Sequence, residues 1–221
     1  MRTNNATAAS SDATPRALRP VASRTSSRDG GAQTLSQLAS PTVLIVPGLR
    51  DHVPEHWQTL LEQQLPKSAS VPRMENDKLS CAAWVKMLDM SLAQIEGPVV
   101  LVAHSAGCMI VVHWAQRHAR AIHGALLAAP PDFESPLPEG YPTQEVLQHN
   151  GWLPTPRRRL PFPSIVAAST NDPLGRLDRV EALAQAWGSR VVNLGNVGHL
   201  NPAAGYGPWP QAENFIQELS V

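Results

Sequence analysis

Short apolar, β-branched runs alternate along this chain with segments of helical periodicity, and that alternation restricts its fold more than any other feature. Thr42-Val43-Leu44-Ile45-Val46 is such a run, and it stops at Pro47-Gly48. It has no polar alternation, as expected of a strand buried on both faces in a parallel sheet. Pro98-Val99-Val100-Leu101-Val102-Ala103 is the strongest strand, and further strands are expected over 122–129, 164–169 and 190–194. A weaker one fits 69–72. Between them, in a helix expected from about Pro54 to Leu65, Trp57, Leu60, Leu61 and Leu65 fall on one face, with Pro66 just beyond. Trp84, Leu88, Leu92 and Ile95 do the same in a second helix, with Ser80 as its N-cap. Helices are also expected after Ser105 to about residue 119, over 174–187 and over 209–219. This order implies an α/β architecture, a mostly parallel sheet with helices on both faces. Right-handed crossovers then limit its topology, and ligands bind beyond the C-terminal ends of the strands.

Composition excludes several classes. With 43% hydrophobic and 16% charged residues the chain can bury a core, and its formal net charge of +0 lacks the basic excess of a nucleic-acid binder. No run of about 18 apolar residues is present to span a membrane. Cys81 and Cys108 read as buried thiols on helices, and a reducing, cytoplasmic setting is expected. Residues 1–39 are rich in Ser, Thr, Ala and Arg with almost no large apolar side chains. They read as a disordered tail before a domain over 40–221, an organelle transit peptide being the alternative for this Arg- and Ser-rich, acid-poor segment.

Three residues that fall at expected strand ends carry the chemistry. Ser105 stands in Ala103-His104-Ser105-Ala106-Gly107, between the strongest strand and a helix. A nucleophile elbow needs a sharp turn there, with small residues two before and two after the serine. Gly107 supplies one, and Ala103 replaces the more usual glycine with the next smallest residue. His199 follows the last strand in a loop opened by Gly195, Asn196 and Gly198. A serine hydroxyl is a poor nucleophile until a base within hydrogen-bond reach takes its proton, and His199 is the candidate base. Asp172, in Ser169-Thr170-Asn171-Asp172-Pro173, ends the strand before it and can orient the imidazole. Asp178 is the runner-up, but it lies inside an expected helix. The backbone N–H groups of Ala106 and Leu49 are the candidate oxyanion donors, Gly48 permitting the loop turn. Gly48, His104 and Trp152 are expected to border the substrate. No metal-ligand spacing or phosphate-cradling loop occurs, and the chemistry calls for no cofactor.

The strings VPGLRDHVPEHW, VLVAHSAG, ASTNDP and VGHLNPAAGYGPWP, in this order, resemble the small serine hydrolases related to retinoblastoma-binding protein nine, with a first loop like that of the bacterial members. The resemblance covers nearly all of residues 41–221. It implies an α/β-hydrolase fold without a large cap, a triad of Ser105, Asp172 and His199, and esterase-like activity. His56-Trp57 matches the family too and reads as structural.

Residues 130–162 are rich in proline and sit where such folds carry a lid. At most one or two short helices fit, so any cover is small. Phe133, Leu137, Trp152 and Leu153 either line an acyl pocket or pin this segment to the core. Arg157-Arg158-Arg159 reads as solvated surface. The expected function is hydrolysis of a small ester, or an amide, through an acyl-enzyme. The alternatives are a protein-interaction module with incidental activity, or an acyltransferase or haloperoxidase variant on the same residues.

Overall fold

The computed structural model describes residues 40–50 and 52–221. The tail expected over 1–39 lies outside the described residues. Six strands form one all-parallel sheet: β1 (Thr42–Val46), β2 (Ser68–Ser70), β3 (Val99–His104), β4 (Gly124–Ala128), β5 (Ser164–Ala168) and β6 (Arg190–Asn193). Their order across the sheet is β2-β1-β3-β4-β5-β6. The helices are α1 (Trp57–Gln64), α2 (Cys81–Ala93), α3 (Ala106–Ala115), α4 (Gln144–His149), α5 (Leu177–Trp187) and α6 (Gln211–Glu218).

The apolar runs are apolar because each serves two cores. Side chains alternate across a strand. Leu44, Val46, Leu101, Ala103 and Leu127 therefore face a core built with α2, α3 and α5. Val43, Ile45, Val100, Val102 and Leu126 face one built with α1 and α6. The result is three layers. Fully burying a side chain such as Ile45 or Leu101, each 0% exposed, stabilises the fold by about 1.5–3 kcal/mol.

Helix ends follow local chemistry. Ser80 caps α2 by accepting the Ala83 N–H. The helix expected from residue 54 begins only at Trp57, because His56 is extended and its Nδ1 accepts the Gln58 N–H. The helix expected from residue 174 starts at Leu177, since Asp172 takes the Leu174 N–H into a turn. The proline-rich segment holds one short helix, α4. At the N-terminal end of the interior strand β4, a Cβ on Gly124 would stand 2.8 Å from Leu219 Cδ2, so the residue after α6 packs onto the start of that strand. Among the described residues no helix is long and apolar enough to cross a membrane.

Candidate active site

Parallel strands bring their C-terminal ends to one edge, and Ser105, Asp172 and His199 follow β3, β5 and β6 there. Ser105 adopts φ 57°, ψ −130°, a conformation an L-residue rarely takes. Two bonds hold it: its N–H donates to Ala128 O at 3.0 Å, and its carbonyl accepts the Cys108 N–H at 2.9 Å. The helix that follows passes so close to β1 that a Cβ on Gly107 would lie 2.3 Å from Val46 O. At the other small position, the Ala103 methyl is fully buried in the α2–α3 core.

The Ser105 hydroxyl lies 2.9 Å from His199 Nε2. His199 Nδ1 lies 2.8 and 3.0 Å from the two Asp172 oxygens. With the carboxylate accepting from Nδ1–H, Nε2 is left to accept the hydroxyl proton. Asp172 is 8% exposed and His199 6%. The loops that carry them are laced together: Asn171 Oδ1 accepts the Gly198 N–H at 2.7 Å, and Thr170 N–H donates to Gly195 O at 2.9 Å. Ser105 and His199 border a cavity of about 350 Å³, lined mainly by apolar side chains including Leu49, Val53, Phe133, Leu137, Tyr141 and Leu174. Gly48 and Ala106 line it too. A Cβ on Gly48 would come within 3.2 Å of Ser105 Cβ and 3.5 Å of its Oγ. The N–H of Ala106, first in α3, has no intrahelical acceptor.

A serine hydrolase family model matches residues 43–218. The chain belongs to the serine hydrolase family. Among solved structures, the hydrolase is similar to a YdeN-like hydrolase from Pectobacterium atrosepticum, with 30% identity over 87% of this chain and 96% of that one and a TM-score of 0.71. The ydeN gene product of B. subtilis shares 19% identity over 81% of this chain and 98% of that one, with a TM-score of 0.66. Est1E from Butyrivibrio proteoclasticus shares 11% identity over 82% and 86%, with a TM-score of 0.58. These last two share the fold. No curated protein sequence matches the chain.

Of the residues expected to border the substrate, Gly48 and His104 line the cavity and Trp152 does not. Trp152 of this hydrolase lies behind the cavity wall, not in it. Its ring packs edge-on to Phe133 at 5.5 Å, and its Nε1–H donates to Leu79 O at 2.6 Å. It pins the proline-rich segment, while Phe133 and Leu137 line the cavity. His104 reaches the cavity but is fixed elsewhere, its Nε2–H donating to the His199 carbonyl at 2.9 Å. Asp178 pairs with Arg176 on the exposed start of α5. Arg157 pairs with Glu134.

Sequence reasoning gave His56 a purely structural part and passed over Gln58, yet both line the cavity. His56, His104 and His199 form a row, with ring centroids 4.6 and 4.9 Å apart. Burial, then the neighbouring His199 and His52, lower His56 to about 4. Burial, again followed by neighbouring imidazoles, holds His104 well below the usual histidine range. Strand alternation could have flagged His104, which shares a face with Val100 and Val102.

Proposed function

We propose that this hydrolase cleaves a small carboxylic ester, with amides as slower substrates, through Ser105 as nucleophile, His199 as base and Asp172 as the orienting acid. The observation that carries the proposal is the unbroken hydrogen-bond relay from Ser105 through His199 to Asp172 at the wall of an apolar cavity. His199 Nε2 takes the Ser105 proton as Oγ attacks the ester carbonyl carbon. The oxyanion that develops is held by the N–H groups of Ala106 and Leu49, with the N-terminus of α3 adding partial positive charge. The imidazolium returns its proton to the departing alcohol, leaving an acyl group on Ser105. Water, deprotonated by His199, then releases the acid and restores the hydroxyl. Asp172 stays ionised and stabilises the imidazolium. Esters come before amides because an alkoxide leaves more easily than an amine, and the apolar lining suits an alkyl or aryl group.

The motif resemblance to relatives of retinoblastoma-binding protein nine supports the same assignment and a single hydrolase domain over 40–221. Both described cysteines are free and buried, which fits a reducing cytoplasm. The test is labelling by a fluorophosphonate probe together with turnover of p-nitrophenyl esters. Wild type is expected to label and turn over. Ser105→Ala is expected to lose the label and about 10⁴-fold or more in kcat. A folded wild-type protein that neither labels nor hydrolyses any ester overturns the proposal.

A further inference from the structure

The cavity beside Ser105 has a mainly apolar wall, into which polar side chains enter at Arg50, at Asn201 and at the start of α1. His56 and Gln58 both line the cavity there. The polar atoms of these two side chains can be accounted for one by one. His56 Nδ1 accepts the Gln58 N–H at 3.2 Å. The neutral ring therefore carries its proton on Nε2, and no described residue accepts it. Burial and neighbouring imidazoles keep the ring neutral down to about pH 4, so this N–H persists through the neutral range. Gln58 is only 3% exposed. Its Nε2 donates twice, to Val46 O at 3.1 Å and to Val102 O at 2.9 Å, bridging the ends of β1 and β3. Both amide hydrogens are thus engaged, and its Oε1 is the polar atom left over. One donor and one acceptor, two residues apart at the start of α1, thus border a cavity lined mainly by apolar side chains. Neither carries a charge.

We infer that His56 and Gln58 form a binding subsite for a neutral carboxamide group of the substrate, His56 Nε2–H donating to its carbonyl oxygen and Gln58 Oε1 accepting from its N–H. The substrate class is then a small ester that carries a second, uncharged amide group away from the scissile bond. A plain hydrocarbon there takes water from the half-buried His56 N–H and the buried Gln58 oxygen without pairing either, which is where discrimination is greatest. A carboxylate would meet Gln58 Oε1 with a second acceptor. The inference rests on the Ser105 ester chemistry proposed above.

The test compares three p-nitrophenyl esters: the hexanoate, its analogue ending in a carboxamide, and its analogue ending in a carboxylate. Each is assayed with wild type and with His56→Asn. Asparagine is a good N-cap, so the variant keeps an acceptor for the Gln58 N–H while its shorter side chain withdraws the far N–H. Folding of the variant is checked by thermal melt. Wild type is expected to favour the carboxamide ester over the hexanoate by about tenfold in kcat/KM, mainly through KM, on the scale of one or two neutral hydrogen bonds. In His56→Asn that ratio is expected to fall toward one. An unchanged ratio in the variant, with both esters slowed alike, would leave His56 a helix cap and overturn the subsite alone. Wild-type preference for the carboxylate ester would equally overturn it, and would point to a cation such as Arg50 at the cavity rim. No turnover of any of the three, with no probe label on Ser105, removes the ester proposal and the subsite together.

Discussion

His56, half-buried, and His104, buried, are imidazoles beside a third, His199, and among the described residues only the third has a carboxylate partner. Their protonation is therefore coupled to folding. In an unfolded chain histidine titrates near its ordinary 6.5, whereas folded His56 titrates near 4. Between these values the unfolded chain binds a proton that the folded chain refuses. Stability is thus fully present above about pH 6.5, falls as pH drops through that value, and stops falling on this account near 4. His104, displaced in the same direction, adds to the loss. The urea midpoint is expected to be lower at pH 5 than at pH 7.5, and the gap to narrow in His56→Asn. A variant with the wild-type gap would place the titration on other groups. None of this was legible in the residue string, which shows that His56 exists but not that β3 ends against it. Trp152 was misplaced for a related reason. An aromatic residue in a proline-rich segment can face the cavity or back its wall, and only the contact with Phe133 decides.

At the scale of elements, the β3–α3 turn concentrates the strain. Holding Ser105 at positive φ costs on the order of 1–3 kcal/mol, and the fit of α3 against β1 keeps it there. Gly107→Ala would drive a methyl into the Val46 carbonyl, which as backbone cannot swing away. The variant is expected to lose about 3 kcal/mol of stability, read as a fall in the denaturant midpoint, with fluorophosphonate labelling reduced in what remains folded. A Gly107→Ala protein as stable as wild type would mean that α3 can lift off β1 freely. The elements themselves were legible. Continuous apolar runs marked the double-faced strands, and the order Ser, Asp, His placed three side chains at strand ends. Their boundaries were less so, because the starts of α1 and α5 depend on which side chain takes which N–H. Those choices are made by His56 and Asp172.

For the molecule as a whole, the segment over 130–162 is a fixed wall rather than a separate cap. Asp132, 4% exposed, accepts from Ser135 Oγ at 2.6 Å, from the Glu134 N–H at 3.1 Å and from Arg179 Nε at 2.9 Å. It clasps the start of the segment to α5. Burial alone would raise its carboxyl, but the Arg179 and Ser135 bonds outweigh that and lower it. Asp132→Ala is expected to cost about 2 kcal/mol, the scale of hydrogen bonds to a buried charge, and to loosen the Phe133 wall. Urea unfolding measures the first and substrate KM the second. An unchanged midpoint would show that Trp152 alone suffices as anchor. The order β2-β1-β3-β4-β5-β6 was beyond the sequence in detail, since pairings between distant runs leave no local trace.

Leu219, just after α6, rests on the start of β4, at the opposite strand ends from Ser105, and Val221 is exposed. A linker joined there leads away from the cavity mouth. Bead-immobilised or fused at Val221, the domain would keep its entrance turned toward the bulk solution, so an affinity handle belongs at that face.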